Sequence, residues 1–192
     1  MRATAAAGSL MVLSTMSTTS LEAVATACEP STPRWFQLYV LRDRDATRQL
    51  VMRAERAGYT ALVLTVDTPI TGSREKDVRN KFKLPEGLSL TNLQQQSSMD
   101  NSNGSGLTAL FAAQIDSGLT FEIIPWLRSI TSMPILVKGV LRGSDAVQAV
   151  QRGASGIIVS NHGGRQADYA PATVDVLAEV CCTILTPHRI AL

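Results

Sequence analysis

Residues 156–166 read Gly-Ile-Ile-Val-Ser-Asn-His-Gly-Gly-Arg-Gln, an apolar run that ends abruptly in polar and ionisable residues. The apolar part does not alternate with polar residues, which favours a parallel strand buried on both faces. His162 follows that strand, where a ligand can reach it. Gly163 and Gly164 allow the chain to turn sharply and approach a flat ligand, and the guanidinium of Arg165 suits a carboxylate. The stretch therefore predicts a strand end that carries chemistry.

The composition is that of a globular domain, and we expect residues 1–192 to form a single one. The 192 residues are 45% hydrophobic and 18% charged, enough for one sizeable core. The net charge of +2 is small and the basic residues are scattered, so we expect no nucleic-acid partner. The three cysteines have neither a metal-ligand spacing nor an extracellular disulfide pattern. No apolar run approaches the ~18 residues that span a bilayer, so we expect no membrane partner.

Alternating strands and helices follow one another along the chain. At the amino terminus a secretory signal is the alternative reading, but Glu22 and the Ser/Thr cluster at 14–20 favour a strand and a helix capped by Ser20. Gln94–Gly106 is almost without apolar residues and predicts a mobile loop. The predicted strands are Leu10–Leu13, Trp35–Val40, Thr60–Val66, Ile135–Gly139 and the run from Gly156. The predicted helices are Leu21–Cys28, Asp43–Ala57, Phe121–Ile130, Ser144–Gln151 and Ala172–Cys182.

Connections this short require parallel strands, in either a barrel or a doubly wound sheet. The predicted strands all end in polar groups, and a barrel gathers such ends on one face, where barrel enzymes keep their sites. A doubly wound sheet would carry a glycine-rich phosphate turn near its first strand, and the sequence has none there. These observations favour an α/β barrel of which five strands are counted.

Three segments resemble a known family. Ser-Asn-His-Gly-Gly-Arg-Gln-Ala-Asp at 160–168, Trp-Phe-Gln-Leu-Tyr-Val at 35–40 and Thr-Val-Asp-Thr-Pro at 65–69 are similar to the signature of the FMN-dependent 2-hydroxy-acid oxidases and dehydrogenases. The resemblance runs from about Ala5 to about Val180. It implies an incomplete (β/α)8 barrel, about strands 2 to 6 with their helices, truncated at both ends. The segments by which relatives hold the FMN phosphate would then lie outside the chain.

The resemblance assigns roles to particular side chains. Histidine is a common base near neutral pH, and His162 matches the family's base, with Asp67 as the acid that orients it. Arg165 and Arg74 match arginines that grip the substrate carboxylate, and Tyr39 matches a hydroxyl donor to the substrate. The expected FMN-binding residues are Ser14, Gln37, Thr65, Lys138 and Ser160.

Each role has a structural alternative. His162 could be a core histidine satisfied by the backbone, Asp67 a turn carboxylate before Pro69, and the arginines solvated surface groups. Lys138 lies in an apolar strand and needs an anionic partner, which the resemblance identifies as the reduced flavin. Otherwise its ammonium reaches past the end of the barrel into water.

The implied activity is FMN-dependent oxidation of (S)-2-hydroxy acids to 2-oxo acids, with molecular oxygen as the acceptor. A catalytically inactive truncated isoform or fragment is the alternative. A third, an aldolase-type barrel with a Schiff base on Lys138, leaves the His-Gly-Gly-Arg turn unexplained. The size of the acid, the electron acceptor (a quinone or a cytochrome in the dehydrogenase branch) and the choice between hydride and carbanion mechanisms stay open. The resemblance further implies a peroxisomal location, because residues 77–85 are most similar to the oxidase branch, with the cytoplasm as the alternative. Members of the family often assemble as tetramers, so the resemblance also implies a homotetramer.

Overall fold

The computed structural model describes residues 2–27, 29, 31–93 and 111–188. A five-stranded sheet runs through this part of the chain, in the order β1-β2-β3-β4-β5, and every neighbouring pair is parallel. The strands are β1 Met11–Ser14, β2 Arg34–Leu38, β3 Ala61–Thr65, β4 Ile135–Val140 and β5 Gly156–Val159. Spatial order that follows chain order is the arrangement of a (β/α)8 barrel, whereas a doubly wound sheet reverses direction at a switch point.

Helices connect the strands. They are α1 Arg2–Ala6, α2 Leu21–Thr26, α3 Arg44–Arg56, α4 Glu75–Arg79, α5 Ile123–Arg128, α6 Gly143–Gln151 and α7 Thr173–His188. The helix α3 begins where the sequence predicts, because the Asp43 carboxylate accepts hydrogen bonds from the Asp45 and Ala46 amides at 2.9 and 3.0 Å. Ser20 caps α2 in the same way, through the Ala23 amide at 3.1 Å.

The core lies between the sheet and its helices. Alternate strand residues, among them Phe36, Leu62 and Val137, pack in one cluster with apolar side chains of α2, α3, α5, α6 and α7. The intervening residues therefore lie on the opposite face of the sheet, which in a barrel is the interior. Residues 11–14 illustrate the alternation, since Leu13 is buried and Val12 is 42% exposed.

A second apolar cluster lies beyond the ends of the strands. It joins Leu93 and Phe111, which flank residues 94–110, to Leu41 and Ile115, and the ring of Tyr39 packs against it. The predicted loop Gln94–Gly106 lies outside the described residues. Within the described part of the chain no helix is long and apolar enough to cross a membrane.

The helices differ from the prediction in two ways. Residues 2–6 and 75–79, for which no helix is predicted, form α1 and α4, and neither has a buried residue. The last helix continues to His188 rather than ending at Cys182. Val180 lies in the core, and Ile184, one turn later, packs against it, so the apolar face of the helix runs past the two cysteines.

Candidate active site

Three ionisable side chains meet at the carboxyl ends of β3, β4 and β5. Asp67 follows β3, Lys138 lies within β4, and His162 follows β5 in a turn of 3₁₀ helix. His162 Nδ1 lies 2.7 Å from Asp67 Oδ1, and Lys138 Nζ lies 3.7 Å from Asp67 Oδ2. The side chains of Asp67 and His162 are 10% and 12% exposed, so water screens the pair little. The sequence predicts all three residues as site residues, and the fold brings them together.

The short contact to Asp67 indicates which ring nitrogen carries the hydrogen. Lys138 Nζ also lies 3.4 Å from His162 Nδ1, but an ammonium group and a ring N–H are both donors and cannot bond each other. The carboxylate contact at 2.7 Å is the shorter of the two, so we place the hydrogen on Nδ1, donated to Asp67. Lys138 then lies beside the ring because Asp67 attracts it. Nε2 is consequently the nitrogen that can accept a proton from a ligand.

Thr68 connects Tyr39 to this pair. Its hydroxyl lies 3.1 Å from Asp67 Oδ1 and 3.2 Å from His162 Nδ1, and it lowers the pKa of the neighbouring Tyr39 phenol. Burial is the main cause that raises the pKa of Tyr39 above its ordinary value; the charge of Asp67 adds to the rise, while Thr68, Arg165 and Arg74 oppose it. Tyr39 therefore stays protonated, and both arginines lie within electrostatic range of its hydroxyl.

Gly139 allows β4 to approach Asp67. The register of β4 and β5 shifts between Lys138 and Val140, and Gly139 has a φ of 108°. A Cβ built on Gly139 would lie 2.6 Å from both Cβ and Cγ of Asp67. No side chain fits in that space, so glycine at this position lets the carboxylate stand beside Lys138 and His162.

Arg165 and Arg74 lie next to each other at the edge of this cluster. Arg165 is exposed, and its Nε–H donates to the backbone oxygen of His162 at 3.0 Å. Arg74 donates to the backbone oxygen of Arg165 at 2.6 Å. Gly163 and Gly164 both have a φ of 67°, so the turn that carries Arg165 has the sharp bend expected from its two glycines.

The other predicted residues form a polar row on the interior side of the sheet. Gln37 Nε2 donates to Thr65 Oγ1 at 3.0 Å, and Ser14 Oγ lies 3.4 Å from Gln37 Oε1. Ser14 and Gln37 are register partners, as are Thr65 and Lys138, so side chains from four strands adjoin. Ser160 lies on the other side of the site, where its hydroxyl accepts the His162 amide at 3.0 Å.

Three residues of the site have no predicted role. Thr68 and Gly139 lie inside segments that the sequence singles out, but their contacts depend on how the strand ends meet in space. Gln166 is the third, and its side-chain amide bonds to the segment after β3. A glutamine after a functional arginine predicts a role only when it is known that the segment after β3 lies beside it.

Comparison with known proteins gives a consistent family assignment. The family model described as FMN-dependent dehydrogenase matches residues 1–190. The chain belongs to the FMN-dependent dehydrogenase family. It is 54% identical to glycolate oxidase of Spinacia oleracea over 181 residues, 93% of this chain and 48% of that protein. It is 50% identical to L-lactate oxidase of Nostoc sp. over 187 residues, 95% of this chain and 51% of that protein.

Solved structures agree with the family assignment. A crystal structure of mandelate oxidase with (S)-4-hydroxymandelic acid superposes with a TM-score of 0.89 at 38% identity, covering 96% of this chain and 52% of that one. The prediction of an α/β barrel sheet is thereby confirmed. The chain spans about half the length of the curated relatives it matches.

The polar groups of the site fit the cofactor of the FMN-dependent dehydrogenase family. The flavin ring carries carbonyl oxygens and ring nitrogens along one edge, and its reduced form is anionic there. Gln37, Thr65 and Ser14 offer an amide and two hydroxyls in one row, and Lys138 offers a cation that is 24% exposed. This set of neutral donors beside one cation matches such an edge. The prediction of FMN as the cofactor is confirmed at the level of the family.

Proposed function

We propose that this chain carries the substrate-oxidising site of an FMN-dependent (S)-2-hydroxy-acid oxidase, which converts its substrates to 2-oxo acids with molecular oxygen as the acceptor. The observation that carries the proposal is the His162–Asp67 pair at 2.7 Å, beside Lys138 and within one group of loops that also holds two arginines. The names of the relatives, glycolate oxidase and L-lactate oxidase, support the substrate class.

The proposed role of His162 is to accept at Nε2 one proton of the substrate, from its hydroxyl or from its α-carbon. Oxidation of an alcohol to a carbonyl removes two electrons and two protons: His162 takes one proton, and the other would pass with the electron pair to FMN. A positioned base contributes about 10²–10⁴-fold to such a step. The ring becomes an imidazolium as it takes the proton. Asp67 stabilises that positive charge through the Nδ1–H hydrogen bond and holds the ring so that Nε2 faces the ligand.

The proposed role of the two arginines is to bind the substrate carboxylate, which sets the α-carbon and its hydroxyl next to His162. A guanidinium can pair with a carboxylate through two parallel hydrogen bonds, which fixes orientation as well as position. Tyr39 is a neutral donor at the same place, because its raised pKa keeps the phenol protonated. Loss of any of these three groups is expected to weaken substrate binding.

The residues proposed to hold the cofactor are Ser14, Gln37, Thr65, Lys138 and Ser160. FMN, when bound, supplies the acceptor for the two electrons, and oxygen is the proposed final acceptor. Lys138 is a fixed positive charge where negative charge develops during the reaction, and such preorganised charge is an effective form of stabilisation.

The test is FMN titration of the 192-residue chain followed by oxygen uptake with glycolate and with L-lactate. We expect quenching of flavin fluorescence, uptake with at least one acid, and a loss of at least about 100-fold in kcat in His162→Ala with unchanged FMN affinity. FMN binding without uptake would contradict the oxidase proposal. Absence of FMN binding would favour the alternative that this polypeptide by itself is catalytically inactive.

We also propose a peroxisomal location, from the similarity of residues 77–85 to the oxidase branch, and a homotetrameric assembly, from membership of the FMN-dependent dehydrogenase family. A fluorescent fusion of the full-length gene product that stays outside peroxisomes would refute the first. Light scattering that gives a monomer mass at micromolar concentration would refute the second.

A further inference from the structure

The side-chain amide of Gln166 bonds to the segment after β3 at four points. Its Nε2 donates to the backbone oxygens of Asp67 and Ile70 at 3.2 and 2.9 Å. Its Oε1 accepts from the Gly72 amide and from Arg74 Nη2, both at 3.2 Å. A primary amide has two donor hydrogens and two acceptor lone pairs, so all four are used. The two carbonyls and the two donors also fix which end is oxygen, because the flipped amide would face donors with its own N–H groups.

The two segments that Gln166 joins carry the proposed substrate-binding groups. Residues 67–74 follow β3 and end at Arg74, and residues 162–165 follow β5 and end at Arg165. The segments are in direct contact, since a Cβ on Gly72 would lie 2.2 Å from the backbone oxygen of Arg165. Arg74 Nη1 donates to the same backbone oxygen of Arg165. Gln166 thus satisfies hydrogen-bonding groups where two loops that follow different strands meet.

The His162–Asp67 pair is held by contacts of a different kind. Its carboxylate and ring meet directly at 2.7 Å, and Thr68 and Lys138 flank them. Gln166 contacts Asp67 only at the backbone. Loss of the amide is therefore expected to release the end of the segment, near Arg74, more than the pair that moves the proton.

We propose that Gln166 is a positioning residue which fastens the segment 67–74 to the turn 162–165, so that Arg74 and Arg165 face one substrate carboxylate together. The part that concerns the substrate depends on the proposed function; the fastening of the two loops does not.

Two variants distinguish the hydrogen bonds that the amide donates from those that it accepts. Gln166→Leu replaces the amide by a branched apolar side chain that is one atom shorter, and removes all four hydrogen bonds. Gln166→Glu keeps an acceptor for Gly72 and Arg74 but places a carboxylate oxygen against the carbonyls of Asp67 and Ile70. Gln151→Leu, an exposed amide at the end of α6, is the matched control.

The first measurement is amide hydrogen exchange of the chain without ligand, followed peptide by peptide. We expect exchange in residues 67–74 to be at least about tenfold faster in Gln166→Leu, less so in Gln166→Glu, and unchanged in Gln151→Leu. Protection in α3 and β2 should stay the same. Unchanged exchange in 67–74 would overturn the proposal. Equal acceleration throughout the chain in both Gln166 variants would also overturn it, since the role would then be general stability.

The second measurement is the split between KM and kcat for glycolate or L-lactate, with the FMN dissociation constant determined alongside. We expect KM to rise about tenfold in Gln166→Leu, with kcat within threefold and FMN affinity unchanged. A fall in kcat at constant KM would refute the substrate part. If the unaltered chain shows no turnover, the proposed function fails, while the exchange experiment still decides whether Gln166 fastens the loops.

Discussion

Tyr39 links the apolar and the polar halves of the site. Its ring packs edge-on against Phe111 with 5.0 Å between centroids, and its hydroxyl lies near Thr68. Burial raises the pKa of its phenol, since the charged form loses hydration. We predict that the tyrosinate absorbance of Tyr39 develops above about pH 10, the ordinary value for tyrosine. The difference between titrations of the unaltered chain and of Tyr39→Phe isolates this group, and a midpoint at or below about pH 10 would contradict the assignment.

Thr68→Val extends the same titration. The variant keeps the shape of the side chain and removes the hydroxyl, which is one of the groups that lower the pKa of Tyr39. The midpoint for Tyr39 is therefore expected to move further upward. The raised pKa also sets the sign for stability: the folded state holds its proton more firmly, so this contribution is complete below about pH 10 and is lost as the pH rises beyond it. Thr19→Val, at an exposed position, should leave the midpoint where it is.

At the scale of elements, β4 is shaped by one residue. Gly139 has a φ of 108° and lies against Asp67, so Gly139→Ala adds both backbone strain and a collision. We predict a loss of about 1–3 kcal/mol in the free energy of unfolding, measured with urea. Gly156→Ala in the neighbouring β5 is the control, because its Cβ would meet Leu136 at an ordinary 3.5 Å. Equal losses in the two variants would show that the approach to Asp67 is not the cause.

The segment after Phe111 is attached to α3 by Asp116. Its carboxylate accepts the Gly118 amide at 2.8 Å and pairs with Arg44 at 2.5 Å, and the first of these contacts is the main cause that lowers the pKa of Asp116. A lowered pKa stabilises the fold above about pH 4, the ordinary value of aspartate, and this contribution disappears as the pH falls through the folded-state pKa.

Asp116→Asn tests this attachment. The variant should be less stable than the unaltered chain at pH 7, by about 1 kcal/mol or less because Arg44 is 41% exposed. The difference should shrink as the pH is lowered below about 4. Urea unfolding at pH 7, 5 and 3 measures it, and a difference that stays constant over this range would contradict the assigned cause.

The elements that sequence predicts well are those with local signals. Asp43 begins α3 and Ser20 begins α2 through contacts within three residues, so the pattern is visible in the sequence. The end of α7 depends instead on Ile184 packing against the core, which requires the tertiary structure.

The same distinction holds in the site: polar strand ends predict Asp67, Lys138 and His162, because parallel strands align their ends. The roles of Thr68 and Gln166 depend on contacts across more than 90 residues, for which the sequence has no periodic signal.

At the scale of the whole molecule, the two faces of the sheet have different roles: one packs in the core and stabilises the fold, and the other carries polar side chains of the site. The face that packs on the helices holds the large buried cluster, whereas the other face carries the polar row of Ser14, Gln37, Thr65 and Lys138. Because successive residues of a strand point to opposite faces, each strand contributes to both. Substitutions in the polar row are consequently expected to change ligand binding with little effect on the core.

A matched pair of valines tests this division. Val137 in β4 is 1% exposed and packs in the core, whereas Val12 in β1 is 42% exposed. Both lie in strands, so Val137→Ala and Val12→Ala share the loss of strand propensity and differ in burial. We predict that Val137→Ala lowers the free energy of unfolding by about 1.5–3 kcal/mol and Val12→Ala by about 0.5 kcal/mol or less, measured by urea unfolding of the chain at low concentration. If Val12→Ala costs as much as Val137→Ala, the interior face is covered in solution, and repeating the measurement across protein concentrations then shows whether a second copy covers it.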